Sequence, residues 1–420
     1  MRAKGVGALI AVTALALTGC QESSAPVDPD QIGGTVTLWY LEDPVPEFLE
    51  AVKAGFEDKY PGTKVEMTEV PEDGFVTKID TALLAKEPPD VAFIYESRWM
   101  KAGSVMKLDD VINAQGIDTA NMNQVALSEC ELDGHLYCLG SLTGSVVLLY
   151  NKDLFDKAKV AYPPADKPMT IDEYDAMARQ LQAALGKDVY GGSVGSPYTW
   201  AGRLTHFSED GRKVDGFAND PSTLHLYDVL GKLSRDKVSP TAAEEELTPR
   251  HDLLGSGKAA MAVTDFEIGA KTLEAAGARW GAAPPPVEKA GDDSFVFVGT
   301  DKYGAFTDSK NPATAKALVA YIGTEGSKIR AEKTDQPPLD ATMLQAWAGT
   351  NESRQEVVKV LSTSTKPGLF VPGFWEVTST LSDIYAQILA GETDTSAIQK
   401  EAPELQKKLD REWETWENIK

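Results

Sequence analysis

The sequence predicts an α/β fold spread over two lobes. Three observations carry that reading. Strand-like and helix-like patterns alternate once the chain passes residue 34. The first three strand patterns enclose two helical ones, a βαβαβ order that gives a parallel sheet covered by helices. The chain has 420 residues, enough for two lobes of ordinary size.

Residues 36–40, Val-Thr-Leu-Trp-Tyr, form a short β-branched and aromatic run suited to a strand. From Pro46, the apolar residues Phe48, Leu49, Val52 and Phe56 recur at helical spacing, and Tyr60-Pro61-Gly62 stops the helix. Residues 64–70 alternate as a strand, and 74–84 are helical again. Pro88-Pro89-Asp90 breaks that helix, and residues 91–95 are continuously apolar, as a buried parallel strand requires. Residues 146–150 form another buried strand, followed by a helix over 152–158. Thr170 caps a further helix, with Glu173 as its capping-box partner. Residues 191–211 read as a loop rich in Gly, Ser, Pro and aromatics, and 227–233 as helix. A strand leads through 257–263 into Thr264-Asp265-Phe266-Glu267, and 296–304 form a strand and turn. Residues 311–323 and the charged tail 397–416 are helical.

The N-terminus points to export. Arg2 and Lys4 precede an apolar run over 6–17, too short to cross a bilayer as a stable helix. The run ends in Leu17-Thr18-Gly19-Cys20, which resembles the bacterial lipobox. That resemblance implies that residues 1–19 are a removed signal peptide and that Cys20 carries lipid; two or three acyl chains anchor firmly where one does not. The alternative is an ordinary signal peptide with a chance cysteine. Residues 20–33, with Ser23, Pro26, Pro29 and Gly33, lack apolar periodicity and read as a flexible tether.

A net charge of -23 leaves no basic stripe to neutralise phosphates, which argues against nucleic acid. It suits an exported protein with a neutral or cationic small ligand. Cys130 and Cys138 flank Asp133-Gly134, a tight-turn pair, and so sit on opposing arms of a hairpin. In an oxidising compartment they form a disulfide, adding about 2–3 kcal/mol; the alternative is two free thiols. One nearby histidine, His135, does not complete a zinc ligand set, and no metal or cofactor is expected.

Several segments, in this order, resemble the bacterial extracellular solute-binding proteins of the sugar-binding, maltose-binding-protein-like type. They are Pro88-Pro89-Asp90-Val91, Asp133-Gly134-His135-Leu136-Tyr137, Leu149-Tyr150-Asn151-Lys152-Asp153-Leu154, Gly257-Lys258-Ala259-Ala260-Met261, and Asn311-Pro312 with Pro337-Pro338-Leu339. The resemblance covers nearly the whole chain after the tether. It implies a two-lobed periplasmic-binding-protein-like fold with a hinge and an interlobe cleft. One lobe would comprise 34–141 with 303–344, the other 142–302 with 345–420. It also implies a monomer that closes on a carbohydrate without any covalent step and docks on the permease subunits of an ABC importer.

A sugar offers hydroxyls at its rim and C–H faces above and below, so its site needs carboxylate, amide or Arg groups together with flat rings. Ligands of parallel α/β sheets sit beyond the carboxyl ends of the strands. The first lobe offers Glu42, Asp43, Tyr95, Glu96 and Arg98 at those exits. Ser97-Arg98 matches a family Asp-Arg pair with only the arginine kept. Thr143-Gly144-Ser145 lies where the family carries a glutamate contact; the glycine removes it and leaves Ser145. The second lobe offers Tyr198 and Trp200, Asp265 and Phe266, and Trp375. Trp39, Trp280 and Phe297 read as core, and Trp413 and Trp416 as packing on the tail helix.

Two other classes fit parts of the pattern. A glycoside hydrolase also carries aromatics and paired carboxylates, but no Gly-x-Ser-x-Gly or His-Glu-x-x-His motif occurs here. A binding protein for a cationic solute such as a polyamine fits the negative charge.

Overall fold

The computed structural model describes residues 31–41, 46–195, 206–292, 297–334, 336–363 and 371–419, with backbone alone at Pro46, Phe297, Trp375 and Glu376. Twelve strands lie among the described residues, numbered in chain order. They are β1 (Gly34–Leu41), β2 (Thr63–Val70), β3 (Val91–Phe93), β4 (Glu131–Leu132), β5 (His135–Leu136), β6 (Cys138–Leu139), β7 (Gly144–Asn151), β8 (Ser193–Val194), β9 (Met261–Asp265), β10 (Trp280–Ala283), β11 (Phe297–Gly299) and β12 (Tyr303–Ala305).

The first sheet has the order β2-β1-β3-β12-β6. β1 runs parallel to β2 and β3, as the βαβαβ pattern requires. β12 joins antiparallel to β3 and β6. The helix Pro46–Lys59 buries Phe48, Leu49, Val52 and Phe56 against this sheet, the four positions picked out by helical spacing. β3 is shorter than the apolar run that predicts it. The assigned strand ends at Phe93, and the Ile94 N–H bonds the Lys302 carbonyl.

The second sheet has the order β10-β7-β9-β8, with β11 also on β7. It is mostly antiparallel: β7 runs opposite to β9, β10 and β11, and only β8 and β9 are parallel. β7 separates two apolar clusters. Val147 and Leu149 face the one shared with the first sheet, and Leu148 and Tyr150 face the other. A strand buried on both faces gives the unbroken apolar run seen in its sequence.

The expected hairpin forms at β4 and β5. Asp133 and Gly134 both take positive φ, 52° and 76°, as a tight hairpin turn requires. Cys130 and Cys138 are joined as a disulfide with a Cα–Cα distance of 4.9 Å. The helix Ile171–Leu185 starts with the Thr170–Glu173 capping box. The tail helix, Ser396–Glu417, buries Ile398, Ala402, Leu405 and Leu409.

The two sheets are tied where segments 140–143, 300–302 and 336–339 pass between them. Asp301 accepts from the Ser141 hydroxyl at 2.6 Å and the Leu142 N–H at 3.2 Å. Arg330, 2% exposed, donates from Nε to Ser141 Oγ, from Nη1 to Gln336 Oε1 and from Nη2 to Asp301 Oδ2. The Thr143 N–H bonds the Pro337 carbonyl. Gly140 is required here, because a Cβ would lie 1.9 Å from Thr300 Oγ1.

Candidate functional site

The exits of β2 and β3 flank that of β1 at one end of the sheet, because both strands run parallel to β1. Tyr95, just past β3, donates its hydroxyl to Glu72 Oε1 at 3.1 Å, just past β2. Burial, then the Glu72 and Glu96 carboxylates, push the Tyr95 hydroxyl up to about 12. Glu96 is the residue before the short helix Ser97–Lys101 and makes no side-chain cap there. Arg98 donates from Nη2 to Asp80 Oδ2 at 2.6 Å and lies 3.7 Å from Glu96. Trp99 donates its indole N–H to the other oxygen of Asp80 and is buried. Tyr95, Glu96 and Arg98, each half-buried, therefore form one cluster with the exposed Glu72 and the half-buried Asp80, two carboxylates that strand-exit reasoning did not single out.

Beside this cluster, the Lys101 ammonium lies 5.8 Å from the ring centroid of Trp416, on the tail helix. The tail helix packs in the second apolar cluster through Leu405 and Leu409. The end of the first sheet that carries the strand exits thus meets an element of the second half.

In the second sheet, Ser145 and Asp265 share one end. Val146 is paired with Asp265, and Ser145 with Val298. Asp265 is exposed and precedes the helix Phe266–Ala275 without a side-chain cap bond. Ser145 is 3% exposed, and its hydroxyl has no hydrogen-bond partner. Phe266 departs from the expectation of an open stacking ring. It is 3% exposed and packs on Trp280 and Trp347, with centroids 5.8 and 6.0 Å away. A ring in that position is part of the core. Trp280 is core as expected, whereas Trp39 is only half-buried, under the Lys78 ammonium. Trp413 packs as expected, with its indole N–H on the Gly211 carbonyl.

Glu267 is the residue that reading the sequence missed. It sits in the first helical turn after Asp265, receives the Ser145 backbone N–H, and keeps Oε1 shut from solvent without a partner. Burial, more than the repulsion of Asp265, pushes its carboxyl up to about 7; Arg330 and the two backbone N–H bonds pull the other way. A Cβ on Gly144 would lie 3.9 Å from Oε1. The available signal was the pairing of a side-chain-free position at 144 with an acidic residue two places beyond Asp265.

Glu42, Asp43, Tyr198 and Trp200 lie outside the described residues, as do Cys20 and the Trp375 side chain. Among the described residues, no group of three or more His, Cys, Asp or Glu side chains could hold a metal ion. No helix among them is long and apolar enough to cross a membrane.

This architecture has close counterparts. The chain is 22% identical to the maltodextrin-binding protein MdxE of Bacillus subtilis, over 93% of each protein. It superposes with a TM-score of 0.74 on an ABC substrate-binding protein of Listeria monocytogenes in complex with cycloalternan, at 22% identity over 90% of this chain and 98% of that one. It superposes with a TM-score of 0.72 on UgpB of Mycobacterium tuberculosis in complex with glycerophosphocholine, at 17% identity over 91% and 99%. These likenesses establish the two-lobed fold. Residues 40–329 match the family model of the bacterial extracellular solute-binding proteins, and the chain belongs to that family.

Proposed function

We propose that this protein captures a di- or oligosaccharide in the cleft between its lobes and delivers it to the permease of an ABC importer. The observation that carries the reading is the family match over residues 40–329, joined to full-length relatives whose names state maltodextrin and cycloalternan. The chemistry of the candidate groups supports it. Carboxylates, an arginine and a tyrosine hydroxyl cluster at the β2 and β3 exits, and such groups hydrogen-bond a sugar rim. Tyr198, Trp200 and Trp375 would supply the stacking faces, and Glu42 and Asp43 further rim contacts. The lobes would divide as 34–141 with 303–344 and 142–302 with 345–420, closing as a monomer about the Arg330–Asp301 joint.

Closure would follow from ligand contacts that differ between the open and closed forms. A micromolar affinity needs about 8 kcal/mol, within reach of a few stacked rings and charged hydrogen bonds. No covalent step is involved. Cys20 would carry the lipid that holds the protein at the outer face of the cell membrane.

The test is a thermal-shift screen of the purified protein with a broad glycan panel, with spermidine as the cationic comparison. A native-state ligand raises Tm with its occupancy. The reading predicts a shift with one class of di- or oligosaccharide, which is recovered unchanged. A shift with spermidine alone favours the cationic alternative, and cleavage of the glycan favours a hydrolase.

A further inference from the structure

We propose that Ser145 and Glu267 form a two-oxygen subsite, at the joint between the two halves, that takes an uncharged hydroxyl of the captured solute. The proposal rests on the carbohydrate reading above and adds a recognition group and a pH dependence to it.

Two buried oxygens without partners stand at one place in the fold. Ser145 Oγ and Glu267 Oε1 are both shut from solvent and unbonded. The backbone N–H of Ser145 donates to the Glu267 side chain, so the two groups are locked together. Leaving such groups unbonded destabilises the fold, so a native fold retains them where something else completes them. Gly144 lets the chain run close beside them in packed surroundings. A Cβ there would stand 3.2 Å from Leu142 Cδ1, 3.7 Å from the Gly299 carbonyl oxygen and 3.9 Å from Glu267 Oε1. The location is the start of β7, directly after the segment that joins the sheets. A group there senses any change in how the halves meet.

The charge balance selects the class of ligand group. The charged groups acting on Glu267 are Asp265 at the start of its own helix and Arg330 from the opposite half. Arg330 is already committed to Asp301, Ser141 and Gln336. The packed helix Arg250–Gly255 directs Arg250 to Glu245 and His251 to Asp252. β7 and β10 carry no charged residue, and β9 adds only Asp265. Burial therefore dominates and favours the neutral acid near neutral pH. A neutral carboxyl and a hydroxyl each donate and accept, which matches a sugar hydroxyl. A cationic guest would instead draw out the carboxylate.

The sign of the pH dependence separates these cases. The neutral acid donates to a ligand hydroxyl and the carboxylate cannot, so a neutral ligand that accepts this proton holds the acid form and binds more weakly as pH rises through about 7. The experiment is calorimetric titration at pH 6 and 8.5 of the wild type, Glu267→Gln and Ser145→Ala. The probe is maltotriose first, then the panel glycan with the largest thermal shift, and circular dichroism verifies the fold of each variant. The expected result is a wild-type dissociation constant about ten-fold weaker at pH 8.5. Glu267→Gln should lose that slope, and Ser145→Ala should weaken binding several-fold at both pH values. Equal wild-type affinities at the two pH values, or a slope that survives Glu267→Gln, overturns the subsite and leaves carbohydrate capture standing. A wild type that binds no glycan at either pH overturns both, and tight spermidine binding that strengthens with pH overturns the uncharged-hydroxyl assignment.

Discussion

Arg330 Nη2 meets Asp301 Oδ2 at 3.1 Å, where three separate chain segments cross between the sheets. The guanidinium also stacks on Phe48, 3.6 Å from its centroid. A flat cation held by an aromatic face, a carboxylate, an amide and a hydroxyl is fixed in direction as well as in charge. Removing one member leaves the rest buried and unpaired. Arg330→Ala and Asp301→Ala should each lower unfolding stability in urea by about 3–5 kcal/mol. The double variant should lose clearly less than the sum, since the second change removes the stranded partner. Fully additive losses would show that the pair is not coupled.

The disulfide gives a second test. Cys130 and Cys138 close a short loop around the hairpin, and both are fully buried. Replacing both with alanine should cost about 2–3 kcal/mol, read as a lower denaturation midpoint. Dithiothreitol should move the wild type toward the variant and leave the variant unmoved.

Phe266 separates a core role from a ligand role. Its ring packs on Trp280 and Trp347, so Phe266→Ala should destabilise by about 3–5 kcal/mol. Phe266→Leu, which keeps most of the apolar volume, should restore most of that stability and bind glycan as the wild type does. Lost affinity with stability intact in Phe266→Leu would return the ring to the ligand site.

Glu267 makes stability itself depend on pH. Its carboxyl is raised from the ordinary 4.5 to about 7 in the folded chain. The stabilisation from holding the proton is complete below about pH 4.5 and disappears as pH rises through 7. Relative to Glu267→Gln, the wild type should lose on the order of 2–3 kcal/mol between pH 4.5 and 8. Parallel stability profiles of the two proteins would show that the carboxyl is solvated.

Much of the fold could be read from the chain because local and global signals agree. Phe48, Leu49, Val52 and Phe56 mark one helical face and are all buried. Thr170 and Glu173 form the capping box that their spacing announces, and Asp133-Gly134 turns the hairpin. The antiparallel pairing of β7 with β9 was not legible, because partners more than 100 residues apart leave no local periodicity. The site was legible in part. Tyr95, Glu96 and Arg98 do gather at the strand exits, but their partners Glu72 and Asp80 belong to other elements. Phe266 was misjudged because a ring beside a carboxylate looks the same in sequence whether it faces a ligand or the core. Glu267 was missed because its significance lies in burial, which a helix start does not reveal.

Aromatic stacking can be tested by substitution. Trp200→Ala and Trp375→Ala should each weaken binding of the true glycan by ten-fold or more, about 1.4 kcal/mol each, while thermal unfolding without ligand stays cooperative. Unchanged affinity in both would place the stacking surface elsewhere.

The most direct measurement of the central claim is a calorimetric titration of the lipid-free chain with di- and oligosaccharides, with the ligand recovered and analysed afterwards. The account predicts saturable one-to-one binding of an uncharged glycan near the micromolar range, with every glycosidic bond intact. Binding confined to a cationic solute, or a glycan recovered in pieces, would contradict it.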